Sequence, residues 1–600
     1  MWFFDTVVYQ IYPLGMCGAP LTNDGVVTPR IRAVLDYIPH LRRLGVGAVY
    51  FSPLFDAPTH GYDTRDFRTL DARLGTNDDL REVCAALHAA GIRVLFDGVF
   101  NHVGREFPPF CDLRERRWES RYRDWFYPHF DGDTPYHDGF HYDCWEGHYE
   151  LPRLNLRNPE VEQYLFDCIR FWHETFGVDG LRLDVAYSLD RDFLAHLKAF
   201  TSALSPDFPL VGEVLFGDYG QIVRDGMLDS CTNYENYKST YSAINSRNLY
   251  ELSYSLNRQF GRDPWCIYRG KHLLTFLDNH DVSRIATTLT DGRNLPLAFA
   301  LQMTTPGVPQ IYYGSEWGIA GAKADGDPAL RPAAPVPVWG GLTDRIAAMT
   351  ALRLASPVLM HGDYKNLTEG NEFLLFERAY DGARAVVGVN LTDGEKVFTH
   401  GALDCRARVF DLTGEGQGDA RETGHSADGN DAVERGRAMI AAAPVTFLGG
   451  ALTVPPHGAV LALVEPEGTP VIRATRNGRG KPTGETARSH RLQRESSGET
   501  KESRPRERSA FVSWGRCRRL PGADTKKGTE EKRTGKRGHR YMKKGRGKGA
   551  GSRGSGAVCR YRCRRRQSLL LPSVSGVAPV GAVGASPAAS AAAARWRWSS

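Results

Sequence analysis

Four short runs of β-branched or aromatic residues in this 600-residue chain end in acidic groups: Asp97, Asp184, Glu213 and the cluster Asp278-Asn279-His280-Asp281. A lone Asp after a strand is more often a helix N-cap than a catalyst. Here, though, three of the four endings carry Arg or His beside the carboxylate: Asn101-His102 after Asp97, Arg182 two residues before Asp184, and His280 next to Asp281. Such a set, with neither a Cys/His metal spacing nor a serine elbow, suits a reaction whose transition state is cationic at carbon. Glycoside cleavage is that reaction: a carboxylic acid protonates the departing oxygen while a carboxylate faces the anomeric carbon. The acid has to stay protonated near neutral pH, and the nucleophile has to stay ionised. Arg182 and Asp184 share one side of a period-two strand, so the guanidinium is expected to hold that carboxylate deprotonated.

The elements that must position these groups are legible as a repeat. Apolar runs at Val7–Tyr12, Val46–Phe51, Ile92–Phe96, Gly180–Leu183, Leu210–Gly212, Met227–Cys231, Leu273–Leu277 and Gln310–Tyr313 alternate with amphipathic stretches. Asp79–Ala90 and Pro159–Phe176 are examples, the second carrying Val161, Leu165, Ile169 and Trp172 on one stripe. Parallel strands need crossover connections, and eight strand–helix units over about 350 residues predict an α/β fold, a (β/α)8 TIM barrel with its chemistry at the C-terminal strand ends. A doubly wound open sheet would bring a glycine-rich phosphate loop after its first strand, and Tyr12-Pro13-Leu14-Gly15 opens none.

The formal charge of +6 sums two unlike pieces. Residues 471–600 hold 33 Lys/Arg against 8 Asp/Glu, a net of +25, whereas 1–470 hold 43 against 62, a net of −19. The body reads as an ordinary acidic protein. The tail, with Arg/Gly clusters such as 542–548 and an Ala/Gly/Ser/Val stretch over 573–594, lacks apolar periodicity and is expected to be disordered. Its clusters could attach electrostatically to RNA or DNA. A solvated extension is the preferred reading, so nucleic-acid binding by the tail is not expected. No apolar run reaches membrane-spanning length, the first residues lack the pattern of a signal peptide, and the eleven cysteines form no metal-type pairs; a cytoplasmic protein without membrane contact is expected.

At the level of motifs, Asp97-Gly-Val-Phe-Asn-His102, Gly180-Leu-Arg-Leu-Asp-Val185, Gly212-Glu-Val214 and Phe276-Leu-Asp-Asn-His-Asp281 resemble, in order, the four signature regions of the α-amylase superfamily of glycoside hydrolases. His60-Gly-Tyr-Asp63, Gly47–Pro53 and Thr305–Gly314 add to the resemblance, which covers roughly residues 5–465. It implies a retaining α-glucan hydrolase in which Asp184 is the nucleophile, Glu213 the general acid/base and Asp281 the third carboxylate. It further implies that His102 and His280 hydrogen-bond the reacting sugar and that Arg182 stands beside the nucleophile. Tyr62 is the implied aromatic platform, and its neighbour Asp63 helps fix the Arg182 region. Asp97 and Asn101 read as structural hydrogen-bonders.

Leu151-Pro-Arg-Leu-Asn155 is similar to the Met-Pro-Lys-Leu-Asn motif of neopullulanases, cyclomaltodextrinases and maltogenic amylases, as is Val185-Ala186 after the nucleophile. These resemblances imply α-1,4 and also α-1,6 cleavage in maltooligosaccharides or related α-glucans. Gly326-Asp-Pro-Ala-Leu-Arg331 resembles an element contacting the neighbouring sugar, which makes Asp327 and Arg331 binding candidates. The first strand begins near residue 7, so the N-terminal β-domain of many such relatives is expected to be absent. The loop Pro13–Pro29 offers only Asn23 and Asp24 in tandem where calcium wants about 6–8 oxygens, so no metal or cofactor is expected to be required. The expected domains are a barrel over 1–102 and 156–350, an aromatic-rich inserted B domain over 103–155, a C-terminal antiparallel β-sandwich over 351–465 and the basic tail over 466–600. Residues 413–442 read as a loop insertion. Two other functions stay open: a glucanotransferase on the same scaffold, and a carbohydrate-binding protein without catalysis.

Overall fold

Barrel strands form where the sequence alternates side chains that fill an interior with side chains that meet helices. In the computed structural model, which describes residues 1–414 and 431–465, eight parallel strands make one sheet. They are β1 (Val8–Ile11), β2 (Ala48–Phe51), β3 (Arg93–Gly98), β4 (Gly180–Leu183), β5 (Leu210–Gly212), β6 (Ser230–Cys231), β7 (Leu274–Phe276) and β8 (Val308–Tyr312). Their order around the sheet is β6-β5-β4-β3-β2-β1-β8-β7. The remaining seam, β6 to β7, is closed by a parallel bridge between Thr232 and Leu274 and by Asn233 N–H donating to the Leu274 carbonyl at 2.8 Å. The run Met227–Cys231 supplies only two residues of regular strand.

Period-two alternation divides the barrel interior into two levels. Val8, Ala48, Leu95, Val211, Leu274 and Val308 pack together with Phe3 in an apolar lower level. One step on along the strands the inward positions are polar: Gln10 opposite Tyr50, and Asp97 opposite Arg182. Helices cover the outside. Thr76 caps Asn77–Ala89 in a capping box with Asp79, Asn158 caps Pro159–Phe176, and Gly177 ends that helix at φ 71°. Trp172 from the second helix is fully buried, stacks on Phe55 at 4.8 Å and donates its indole N–H to the Phe67 carbonyl at 2.6 Å. Trp172→Ala is expected to cost about 3–5 kcal/mol, read as a lowered urea midpoint at unchanged slope.

Between β3 and the helix Pro159–Phe176 the chain makes a helix, Pro108–Arg116, and two small hairpins, Pro128–His129 with His141–Tyr142 and Cys144–Trp145 with His148–Pro152. Phe110, Phe126, Phe140 and Tyr142 form a mini-core there. The segment ties back to the barrel rim through a bridge between His102 and Arg153.

After the barrel come β9 (Lys365–Glu369), β10 (Phe373–Tyr380), β11 (Ala383–Asn390), β12 (Lys396–Thr399), β13 (Arg406–Asp411), β14 (Val445–Phe447), β15 (Ala451–Val454) and β16 (Gly458–Val464). Six form an antiparallel sheet in the order β9-β10-β11-β16-β13-β14, and β12 pairs with β15 across a core of Leu375, Val386, Phe398, Leu452 and Val460. Residues 431–442, expected as loop, are a helix against the last barrel helix, Gly341–Ala355. The sequence signal is faint because the approach is made by backbone: a Cβ on Gly436 would lie 1.9 Å from the Ala351 carbonyl oxygen. The basic tail, and with it the expectation of disorder, lies outside the described residues.

Candidate active site

Arg182 organises the upper level of the barrel. Its Nη1 lies 2.9 Å from both carboxylate oxygens of Asp97 and 2.9 Å from Asp184 Oδ1, while Nη2 lies 3.0 Å from Glu213 Oε2. All four side chains are nearly buried. The convergence follows from register: Asp97 and Arg182 are partners across β3 and β4, Asp184 lies one pleat beyond Arg182, and Glu213 follows the last residue of β5. Tyr50 donates to Asp97 Oδ2 at 2.8 Å and Tyr62 donates to the same oxygen at 3.3 Å. Asp97 is therefore the residue that anchors Arg182.

Glu213 has two different oxygens. Oε2 takes Arg182 and the Val185 N–H, at 3.1 Å, whereas Oε1, among the described residues, meets only the Tyr234 hydroxyl, at 3.5 Å, which itself accepts from Asn279. Val185 is held at φ 49°, a left-handed conformation that costs a β-branched residue about 1–3 kcal/mol, and this turns its N–H toward Glu213. Burial pushes the Asp184 carboxyl well above the ordinary carboxylate range, against the opposing pull of Arg182 and with help from Glu213 and Asp97. Burial also raises Glu213, again opposed by Arg182. The expectation that Arg182 alone sets the ionisation of Asp184 is thus too simple. One guanidinium is shared by three buried carboxyl groups, so the cluster tends to keep a proton.

His102 is buried and held neutral, pushed down to about 3 by burial. Asn101 Nδ2 lies 3.1 Å from its Nδ1, which leaves the ring proton on Nε2. That Nε2 has no hydrogen-bond partner among the described residues and lies 3.9 Å from Asp184 Oδ2. A buried donor left open beside a carboxylate is a place for a ligand oxygen. His280, likewise lowered to about 3 by burial, receives Gln10 Nε2 on Nδ1 at 2.8 Å; its Nε2 contacts the Tyr62 hydroxyl and lies 3.0 Å from Asp281 Oδ2. The Tyr62 ring is nearly parallel to that of His280.

Asp281 is the most open of the three expected catalytic carboxylates, with 37% of its side chain accessible. Burial works to raise it, but His280 and Arg331 hold it down at about 2. Arg331 lies 3.0 Å from Asp281 Oδ1 and 3.1 Å from Asp327 Oδ2, and donates from Nε to the His280 carbonyl. Asp327, half exposed, also meets Lys323 at 3.0 Å. The structure thus joins Asp184, Glu213, Asp281, Tyr62, His102, Arg182, His280 and Arg331 at one rim, with Asp327 behind Arg331.

Asp63 accepts from Thr59 Oγ1 at 2.6 Å and from Gly61 N–H at 3.2 Å, closing the turn that carries Tyr62, while Asp97 is the carboxylate in contact with Arg182. Sequence reasoning also missed the buried Gln10 and Tyr50 and the half-buried Tyr234, each a polar side chain touching the site network. Gln10 was detectable as the one amide in an apolar strand run. Phe216, 64% exposed three residues after Glu213 and 5.3 Å from the Tyr187 ring, adds an open aromatic surface at the rim.

In the strand-one loop, the oxygens that a cation would collect surround a side chain. The Arg73 guanidinium, fully buried, donates to the carbonyls of Pro20 and Leu21 at 3.0 Å each and of Ala57 at 3.3 Å, and pairs with Asp71 at 2.7 Å. Asn23 and Asp24 accept from the nearby backbone N–H groups of Gly25 and Val26. Among the described residues no group of three His, Cys, Asp or Glu side chains is placed to hold a metal ion.

Residues 24–345 match the model of the alpha amylase catalytic domain, more than half of the chain. The chain belongs to the alpha-amylase family. Within that family it is 34% identical over 351 residues to neopullulanase 2 of Thermoactinomyces vulgaris, covering 55% of this chain and 59% of that one. It is 30% identical over 445 residues to a cyclomaltodextrinase of Geobacillus thermopakistaniensis, covering 69% and 74%. Among solved structures, the cyclic alpha-maltosyl-(1→6)-maltose hydrolase of Arthrobacter globiformis, complexed with that sugar, aligns with a TM-score of 0.62 at 26% identity over 77% of this chain and 99% of its own. The chain spans about three fifths of the length of relatives such as neopullulanase 2. The rim described above lies within the matched residues.

Proposed function

We propose that this protein is a retaining α-glucan hydrolase acting on α-1,4 bonds, and also α-1,6 bonds, of maltooligosaccharides or related glucans. The observation that carries the reading is the single Arg182 guanidinium holding Asp184 on one nitrogen and Glu213 on the other. Two carboxyl groups so yoked face one small volume, as a double displacement needs, and retaining enzymes place them about 5–5.5 Å apart. The shared proton belongs on Glu213 Oε1, whose one hydrogen-bond partner among the described residues is a hydroxyl, while Asp184 has Arg182 on one oxygen and the open His102 donor beside the other. Asp184 attacks the anomeric carbon as Glu213 passes its proton to the leaving oxygen. Water, deprotonated by Glu213, then releases the sugar with its configuration kept. His102 Nε2–H, His280 and Asp281 bind hydroxyls of the reacting ring.

The relatives named neopullulanase and cyclomaltodextrinase support the substrate class. The test is incubation of the full chain with maltotriose, pullulan and β-cyclodextrin while following products by proton NMR. Products released first as α-anomers support the proposal; β-anomers overturn retention, longer oligosaccharides make the protein a glucanotransferase, and unchanged sugars with a folded protein make it a binder.

The pH dependence has a definite sign. Activity falls at low pH as Asp184 takes up a proton and at high pH as Glu213 gives one up. Burial raises both groups, so both limbs of the kcat/KM profile should lie above the ordinary carboxylate values of about 3.9 and 4.3. A lower limb centred below about 4 contradicts this assignment.

No metal is required in this reading, since Arg73 supplies the cation of the strand-one loop. A chelator is expected to leave activity and Tm unchanged, whereas Arg73→Met, which strands buried Asp71 without its partner, should cost about 3–5 kcal/mol. Thermal melts with and without chelator check both.

A further inference from the structure

The side of the molecule away from the rim holds a cavity of about 330 Å³ where the starts of β7 and β8 meet the turn between β10 and β11. Its polar wall includes Arg269, Lys271, His272 and His361, and Phe260 and Met360 give it an apolar side. Behind the wall lie two guanidinium groups, Arg353 and Arg378, with 1% and 0% exposure. Arg353 donates to the carbonyls of Met303, Thr305 and Gly307, and Arg378 to those of Thr304, Gly362 and Asp363. Gly307 and Gly362 themselves line the cavity. Among the described residues both guanidiniums are thus hydrogen-bonded to neutral oxygens only.

The front pair is no better neutralised. Lys271 Nζ donates to the Val223 carbonyl at 2.6 Å, and Arg269 donates to the carbonyls of Gly261 and Asp263. Among the described residues none of these four cations forms an ion pair with a carboxylate. The acids nearby are committed elsewhere: Asp363 is held on both oxygens by Arg262, at 2.6 and 2.8 Å, and Asp5 by His361 Nε2, at 2.7 Å. Asp381, at the mouth, and Asp363, which also lines the cavity, oppose the positive field. A buried charge without a partner is costly, and four cations around one chamber favour a guest of at least two negative charges. Lysine and arginine each keep donors to spare.

We propose that this cavity binds a small organic phosphate, its phosphoryl oxygens on Lys271 and Arg269 and its carbon skeleton against Phe260 and Met360. The volume suits a ligand the size of a sugar phosphate. The site lies on the barrel's opposite end from Asp184 and does not depend on the activity proposed above. The histidine pair continues the polar wall: His272 Nε2 lies 3.0 Å from His361 Nδ1, and burial holds His272 down at about 4, so it contributes as a neutral ring.

The test is calorimetric titration of the full chain, in chloride buffer at physiological ionic strength, with glucose 6-phosphate and separately with inorganic phosphate. One-to-one saturable binding of glucose 6-phosphate is expected, tighter than that of inorganic phosphate. The surface double variant Arg269→Ala, Lys271→Met should weaken it by about tenfold or more while leaving maltotriose turnover unchanged. Asp381→Asn, which removes the opposing charge, should tighten it. Equal affinity for the two probes overturns the organic part of the proposal. Absence of saturable binding, or binding that neither variant moves, overturns the site.

Discussion

Asp184→Asn is expected to lower turnover of maltotriose by about 10⁴- to 10⁶-fold, because the amide keeps the shape of the carboxylate and removes its nucleophilicity. The substitution leaves the surroundings intact: the amide oxygen still accepts from Arg182 Nη1, where the carboxylate now does so at 2.9 Å. Stability moves the other way. Burial raises the carboxyl of Asp184 in the folded state, so at neutral pH the ionised group works against folding, and neutral asparagine is expected to raise Tm. The gain should shrink as pH falls toward the unfolded-state value of about 3.9, where the aspartate is neutral in both states. Turnover assays with matched thermal melts separate the two effects. Activity within about tenfold of the unsubstituted protein would remove Asp184 from the mechanism.

Glu213→Gln should cost about 10²- to 10⁴-fold on natural glucans, the range of a lost general acid. The deficit depends on the leaving group. An aryl α-glucoside with an acidic phenol needs no proton, so its first step should be nearly normal and a glucosyl-enzyme should accumulate. Azide, which needs no base to attack, is expected to restore turnover and to yield an α-glucosyl azide, because two inversions return the starting configuration. In a variant that shortens Asp184, such as Asp184→Gly, direct attack of azide should give the β-product. The same product from both variants would mean that the roles of the two carboxylates are misassigned.

The two carboxylates differ in how far sequence alone could place them. Asp184 and Arg182 are two residues apart on a strand, so period-two alternation puts them on one side without knowledge of the rest of the chain. Glu213 meets the same guanidinium only because β4 and β5 align Leu183 with Gly212. Asp97 was readable as an acidic strand end, but its hold on Arg182 depends on pairing across 85 residues. Asp63, placed in that neighbourhood by resemblance, accepts from Thr59 and Gly61 in the turn that carries Tyr62. The helix 431–442 was missed for a similar reason: its fit rests on a glycine's bare backbone against Ala351, which no hydrophobic pattern records.

Local chemistry written in the sequence determined the strand and helix alternation, hence the barrel, and which side chains close each strand, since alternation and capping act over a few residues. The shared guanidinium, the uncapped His102 donor, the Arg73 guanidinium buried among the strand-one loop carbonyls and the cationic chamber under the barrel were decided by the tertiary structure alone. Each depends on register and on burial, which set distances and dielectric between residues far apart in the chain, and neither quantity exists until the sheet has closed.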